Sequence, residues 1–237
     1  MTLASASKFA IALSLFPAVA IAVTQDVSYD FSAMPHVNDK ATYHQQAKFT
    51  ISGQDIDYSS DEAQTVLKVG ADGSETVKAV DTNTVVSAGG NPLPSPPSAP
   101  STTDSDGLGH VLKITSDQPT PAEAYRLADL TAFVHNASDK TSGGWTTRVP
   151  ADAKTGAVPY VATYKVSGME KIGSWDTYKI IFSVKETGPD PKASSDGTMW
   201  ICKDTGWPAK IVANLHNAPL PGVPTPIEGT MTVTRTS

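Results

Sequence analysis

The sequence predicts a mainly β protein, a curved antiparallel sheet or unclosed β-barrel with one helix packed on its concave face. Two observations lead to this prediction. Apolar and polar residues alternate along several stretches of the chain, as expected for strands with one buried face. Only one stretch, residues 121–134, carries helical spacing together with helix-start residues. The chain of 237 residues is long enough for one large domain.

The composition of the chain argues against several classes of function. The chain carries 24 acidic and 18 basic residues, a net charge of −6, without basic runs. Nucleic acid is therefore not expected as a partner, because phosphate binding needs clustered Lys and Arg. The single cysteine excludes an internal disulfide framework and a cysteine-based zinc site. No histidine pair, nucleophile elbow or phosphate-binding glycine motif occurs, so we expect no metal, no cofactor, no catalytic residues and no enzymatic activity.

The N-terminus has the pattern of a secretory signal peptide. Lys8 precedes an apolar run from Phe9 to Ala22, which is too short for a membrane span of about 20 residues. Small residues at Ala20 and Ala22 form a cleavage pattern, so we predict a signal peptide over residues 1–22 and an exported protein, periplasmic or secreted. No other run is long enough for a transmembrane segment. Residues 23–237 are expected to form a single β-rich domain.

Residues 178–185 show the strand pattern most clearly. Tyr178, Ile180, Phe182 and Val184 fall on one face, with mostly polar residues between them. Weaker alternating runs occur at residues 42–51, 65–69, 75–80, 160–166, 211–215 and 229–234. Short turn sequences separate these runs, which predicts successive hairpins.

The helix prediction rests on its start signals. Thr120 is a candidate cap, Pro121 a candidate first residue, and Glu123 stands three residues after the cap. Helical spacing places one stripe of residues toward the sheet: Ala124, Leu127, Ala128 and Thr131.

A weak internal duplication is also predicted. Residues 88–106 are rich in Pro, Gly and Ser and read as a flexible loop within the first half. In each half, two strands, a Pro/Ser segment and an Asp-Gly pair precede a further strand; the pairs are Asp106-Gly107 and Asp196-Gly197. Two halves, 23–119 and 137–237, would then flank the helix. Common turn chemistry is the alternative explanation.

The hairpin around Asp204-Thr205-Gly206 permits more specific expectations. Gly206 is the only glycine available to take a positive φ in this turn, and Pro208 should begin the next strand. Trp207 at the tip is expected to be exposed. Cys202, on the preceding strand, is expected to be a buried, inert thiol.

This hairpin resembles one in the bacterial lipoprotein-localisation carrier superfamily. The likeness covers about residues 164–215: an aromatic-led strand at Met199-Trp200, a Lys-Asp-Thr-Gly turn, then Pro208 and Lys210. The resemblance implies an unclosed antiparallel β-barrel with an apolar cavity for acyl chains. One evident helix and the proline-rich stretch 218–224 depart from the family pattern.

Two functional hypotheses follow. In the first, the protein is a non-enzymatic, exported carrier of an apolar or lipid-like ligand, held in a half-barrel cavity lined by Tyr164, Tyr178, Ile180, Phe182, Val184 and Trp200. An ordinary filled core is the alternative interpretation of these six residues. In the second hypothesis, a solid-core module of the cell envelope presents its Pro-rich loop, residues 92–100, to a protein partner.

Overall fold

A computed structural model describes residues 28–95, 99–135, 140–188 and 190–237. The predicted signal peptide and mature start lie outside the described residues. The strands, in chain order, are β1 (Tyr29–Asp30), β2 (Lys40–Ile51), β3 (Gln54–Val69), β4 (Glu75–Ala88), β5 (Asn91–Leu93), β6 (Ser101–Ser105), β7 (Val111–Thr115), β8 (Lys140–Thr141), β9 (Gly144–Val149), β10 (Tyr160–Ile172), β11 (Trp175–Glu186), β12 (Ser194–Cys202), β13 (Pro208–Ala218) and β14 (Ile227–Arg235). The helix is α1 (Ala122–Asp129).

One large antiparallel sheet organises the molecule. Its order is β7-β6-β4-β3-β2-β14-β13-β12-β11-β10-β9, with β5 paired to β4. The last strand, β14, pairs with β2 near the N-terminus, so two meanders merge into one sheet. The ends of this order, β7 and β9, do not pair with each other, and the sheet is not closed into a barrel. The predicted fold class is confirmed.

The chain passes from one end of the strand order to the other across the inner face of the sheet. We call residues 116–135, which contain α1, the connector. Leu130 and Val134 of the connector pack in the same buried cluster as Ile180 and Phe182 of β11. The connector thus covers the face on which the strands place their apolar side chains.

The helix is shorter than predicted and starts differently. It ends at Asp129 rather than at residue 134. Thr120 does not cap it; its hydroxyl donates to the Ile114 carbonyl, and Pro121 occupies the cap position without a side-chain hydrogen bond. After Asp129, side chains of β9, β10 and β12 bond the carbonyls of residues 130, 132 and 134 and the amide of residue 134. These long-range bonds take the place of further helical hydrogen bonds, and local sequence does not show them.

The Pro/Ser segment 88–106, predicted as a flexible loop, contains two strands. β5 pairs with β4 through residues 91–93, and β6 joins the sheet between β4 and β7. The two Asp-Gly pairs behind the predicted duplication also differ in setting. Asp106-Gly107 lies in the turn between β6 and β7, whereas Asp196-Gly197 lies inside β12.

The β12–β13 hairpin agrees with two expectations and contradicts one. Gly206 has φ +71°, and Pro208 is the first residue of β13. Trp207 is buried, with 7% of its surface exposed, so the prediction of an exposed tip is wrong. Trp207 packs against buried residues of β2 and β3, and the Ala33 carbonyl approaches Gly206 closely enough to exclude a Cβ atom. These long-range contacts explain the burial of Trp207.

Variants of this hairpin test the packing. Gly206→Val should lower the free energy of unfolding by about 1–3 kcal/mol from backbone strain alone, with the Ala33 contact adding to it. Trp207→Ala should cost about 3–5 kcal/mol, because it empties a buried aromatic site. Urea unfolding midpoints measure both. A neutral Trp207→Ala would contradict the buried tip.

Candidate functional site

The six residues predicted to line a cavity do not share one environment. Tyr164, Tyr178, Ile180, Phe182 and Val184 point to the inner face and are each at most 7% exposed. The sixth, Trp200, pairs in register with Lys179, whereas Ile180 pairs with Met199. Trp200 therefore lies on the outer face, and its placement in a cavity lining is wrong.

Polar and charged side chains surround Trp200 on that outer face. Its Nε1 donates to Glu170 at 2.9 Å, and the Lys179 and Lys210 ammonium groups lie 5.4 and 5.5 Å from its ring centre. Sequence alternation could not show that Trp200 points outward. Four consecutive residues of β12, 199–202, are buried, so the faces of this strand can be assigned only from its register with β11.

The inner face of the C-terminal half is filled. Phe31 packs against Phe133, Trp145 and Tyr178 with ring centres 4.8–5.6 Å apart, and Trp145 stacks on Tyr164 at 4.9 Å. Phe31 belongs to the N-terminal segment and Phe133 to the connector. Since these two segments occupy the concavity, the five inward residues form a filled core rather than a ligand cavity. The filled core is the alternative interpretation given with the sequence.

An open groove lies instead on the N-terminal half of the inner face. Two adjoining volumes of about 450 and 420 Å³ share Glu62, Gln64, Ala128, Thr131, Pro208 and Ile211 in their walls. Each falls within the range of roughly 300–1,000 Å³ typical of small-molecule sites. This groove is the candidate functional site.

The predicted helix stripe forms the roof of the groove. Ala124, Leu127, Ala128 and Thr131 line it from α1 and the turn that follows, and Phe133 lines it further along the connector. The opposite wall also contributes apolar side chains: Val77, Val111, Trp207, Ile211, Met231 and Val233. Small residues on the helix leave the space that larger ones would fill.

The floor of the groove carries polar groups. Glu62 and Gln64 of β3 point inward, and the Gln64 amide donates to Glu62 at 2.6 Å. Glu75 of β4 lies at the far end of the same groove. Burial raises the pKa of both carboxyls above the ordinary glutamate value. For Glu62, the hydrogen bond from Gln64 lowers the pKa, whereas the nearby Asp81 raises it further. Removal from water thus disfavours the charged forms.

Tyr43 of β2 completes the floor. It pairs in register with Glu62, which pairs in turn with Asp81, so the three side chains form a row on the inner face. Only 2% of Tyr43 is exposed, and its buried hydroxyl has no hydrogen-bond partner within the described part of the chain. A buried hydroxyl without a partner costs free energy, so a ligand group that bonds it would gain more than at the surface.

The roof is held to the sheet by polar contacts on the other side of the helix. Arg126 donates from Nε and Nη2 to the two carboxylate oxygens of Glu186 at 2.7 and 2.6 Å, and Glu186 is almost fully buried. The Tyr125 hydroxyl accepts from the Ile114 amide at 3.1 Å. Asp129 is buried beside Tyr160, and burial raises the pKa of its carboxyl to about 7.

Two other features do not form sites. A depression of about 470 Å³ lies on the outer face, but its charged residues already have partners, as Lys48 has Asp57 and His216 has Glu228. Cys202 is buried, as expected, and burial raises the pKa of its thiol, which disfavours a reactive thiolate.

Residues 28–95, 99–135, 140–188 and 190–237 contain neither a metal-binding cluster nor a membrane-spanning helix. Within these ranges no cluster of three or more His, Cys, Asp or Glu side chains could hold a metal ion. The same residues include no helix with the length and apolarity required to cross a bilayer.

Sequence reasoning missed the sheet side of the groove. The only local signal is a set of polar residues at alternate, inward positions: Gln45, Glu62, Gln64 and Asp81. Along a single strand these positions look like a solvated face. Their orientation follows only from pairing with β2, whose inward residues include the buried Ala41 and Tyr43.

Comparison with known proteins gives similarity of fold only. No protein-family model and no curated protein matches the sequence. A lipovitellin structure, entitled "Lipid-protein interactions in lipovitellin", is 9% identical with a TM-score of 0.45; it covers 84% of this chain, which spans a quarter of the lipovitellin chain.

Two bacterial structures are similar over most of their own length. The hypothetical lipoprotein YmcC from Escherichia coli is 13% identical with a TM-score of 0.31, covering 86% of this chain and 89% of its own. A "putative outer membrane lipoprotein-sorting protein domain" from Vibrio parahaemolyticus is 6% identical with a TM-score of 0.27, covering 84% and 83%. These neighbours belong to the fold family that the hairpin resembles.

The ion pair that holds the roof can be tested by Arg126→Met. This change leaves the buried Glu186 carboxylate without its cation, and it should lower the free energy of unfolding by about 3 kcal/mol. The control Lys165→Met, which removes an exposed cation from β10, should change it by less than about 0.5 kcal/mol. Chemical denaturation compares the two variants, and equal effects would contradict the role of the pair.

Asp129 predicts a pH dependence of stability. Its folded pKa of about 7 lies above the ordinary aspartate pKa of 3.8, so the folded state keeps a proton that the unfolded state loses. The free energy of unfolding should therefore fall as pH rises from about 4 to about 7, by on the order of 4 kcal/mol. Asp129→Asn should flatten that part of the profile, measured by urea unfolding across the pH range. An unchanged profile would show that another group sets the slope.

Proposed function

We propose that the protein is a non-enzymatic binder of an apolar or lipid-like ligand, and that the ligand occupies the groove beneath α1. The observation that carries this proposal is an unfilled groove of ligand size, roofed by small residues and walled by apolar side chains on a sheet whose other half is filled. Apolar walls with a few inward polar groups are the usual features of such sites.

The proposal moves the binding site from the residues named in the sequence to the other half of the sheet. The residues from β10 and β11 form the core that supports the connector, and the connector holds the roof in place. A carrier also needs an opening through which its ligand enters, and the partly exposed Met231 and Val233 border the groove.

Export through the signal peptide of residues 1–22 is the second part of the proposal. It rests on the charged start, the apolar run and the small-residue cleavage pattern. N-terminal sequencing of protein recovered from the periplasm or medium tests it: Val23 as the first residue is expected, and retention in the cytoplasm with Met1 would overturn it.

Ligand binding is tested with N-phenyl-1-naphthylamine, an uncharged apolar probe that fluoresces on leaving water. The protein should bind it saturably. Ala128→Phe should weaken binding at least about tenfold, since Ala128 lines both volumes and a phenyl ring would fill them. The matched control is Ala63→Phe on β3, an exposed position on the opposite face, which should leave binding unchanged. Equal binding by both variants, or no saturable binding, would overturn the proposal.

A further inference from the structure

The outer face of the C-terminal half carries the opposite charge to the chain as a whole. Five basic side chains point outward from β9, β10, β11 and β13, and we call this surface the basic face: Arg148, Lys165, Lys179, Lys185 and Lys210. Their direction follows from alternation along the strands, since residues next to them, such as Tyr164, Ile180 and Val184, fill the core on the inner face.

Most of these cations have no carboxylate partner. Lys179 pairs with Glu170 at 3.0 Å, whereas the other four form no ion pair with any residue that the structure describes. Asp196 on β12 shares the surface, but it is already bonded to His216 at 3.2 Å and to Asn214 at 3.1 Å. The basic face therefore keeps an excess of positive charge on a chain of net charge −6.

Apolar side chains stand between the cations. Val161 pairs in register with Arg148 on β9 and with Lys185 on β11, and Ile181 pairs with Lys165. Ile181 is 48% exposed, although it is a large aliphatic side chain in the middle of a strand. Cations interleaved with exposed aliphatic groups are typical of surfaces that meet an anionic membrane, where phosphates bind the cations and the aliphatic groups leave water.

The arrangement favours a lipid surface over a partner with fixed charges. The cations are spread across neighbouring strands, which lie about 4.8 Å apart, and do not follow a single line. Lipids diffuse in the plane of the bilayer, so their phosphates can adopt any such spacing. Nucleic acid holds its phosphates at a fixed spacing along a backbone and offers the exposed Ile181 no apolar environment.

We propose that the basic face docks the protein onto a membrane surface rich in anionic phospholipid, with Ile181 at the level of the headgroups. The groove lies on the inner face and in the other half of the sheet, so a protein docked in this way keeps the groove uncovered. The inference goes beyond the proposed function and does not depend on it.

Vesicle sedimentation tests the contribution of charge. The protein is used in its processed form, so that residues 1–22 do not contribute. It should bind vesicles of phosphatidylglycerol and phosphatidylcholine and should not bind phosphatidylcholine alone. Combining Arg148→Gln, Lys165→Gln and Lys185→Gln should weaken binding at least about tenfold, since each cation near an anionic surface adds roughly fivefold. Raising the ionic strength to about 0.5 M should likewise release the parent protein.

The matched control removes three cations from the other half of the sheet. Lys68, Lys78 and Lys113 are exposed on β3, β4 and β7, and they form no ion pair within the described part of the chain. Combining Lys68→Gln, Lys78→Gln and Lys113→Gln gives the same net charge and should leave vesicle binding unchanged. This comparison separates the basic face from the effect of total charge. Circular dichroism establishes that both variants are folded.

A dye attached at residue 181 tests the orientation of the docked protein. Cys202 is buried, so an environment-sensitive thiol dye is directed to the exposed thiol of an Ile181→Cys variant. Its emission should shift to shorter wavelength with anionic vesicles, because the dye enters the headgroup region. The control is Val85→Cys on β4, which replaces a 58% exposed residue of the other half and should keep its emission.

Several results would overturn this inference and leave the groove proposal intact. These are failure to bind anionic vesicles, equal binding to phosphatidylcholine, equal losses in the two triple variants, and equal dye shifts at residues 181 and 85. Binding to double-stranded DNA through the same cations, without binding to vesicles, would also overturn it. Binding of N-phenyl-1-naphthylamine is measured without vesicles, so the proposed function succeeds or fails separately.

Discussion

The structure depends on how the backbone of residues 130–134 is hydrogen-bonded to the sheet. The Tyr164 hydroxyl donates to the Ala132 carbonyl at 2.9 Å and accepts from the Val134 amide at 3.1 Å. The Trp145 indole donates to the Val134 carbonyl at 2.9 Å, and the Ser195 hydroxyl donates to the Leu130 carbonyl. An irregular backbone buried on a sheet must have such partners, because unpaired peptide groups there are costly.

These bonds divide the concave face into two parts. With the connector held by β9, β10 and β12, its side chains and Phe31 fill the C-terminal half of the concavity. The short helix is then left over the N-terminal half, where Ala124 and Ala128 face β2 and β3 across open space. The same constraint therefore produces the solid core and the groove.

The local sequence pattern predicted the faces of individual strands and of the helix. The alternation at residues 178–184 gave the inward face of β11, and the helical stripe from Ala124 to Thr131 lines one surface. The burial of Trp207 depends on long-range packing against β2 and β3. The outward direction of Trp200 depends on the register between β11 and β12. The polar floor was missed because an inward Glu62 looks the same as an outward one until its strand partners are known.

The polar floor also explains how an unfilled groove can persist. A large, wholly apolar groove open to water would favour collapse of the roof onto the sheet or association between molecules. Glu62, Gln64 and Glu75 make the floor polar, and Arg126 holds the roof from its other side. A ligand that covers these polar groups completes their removal from water, so it gains affinity only if it bonds them in turn. The polarity that keeps the groove open is thus the same property that makes it selective.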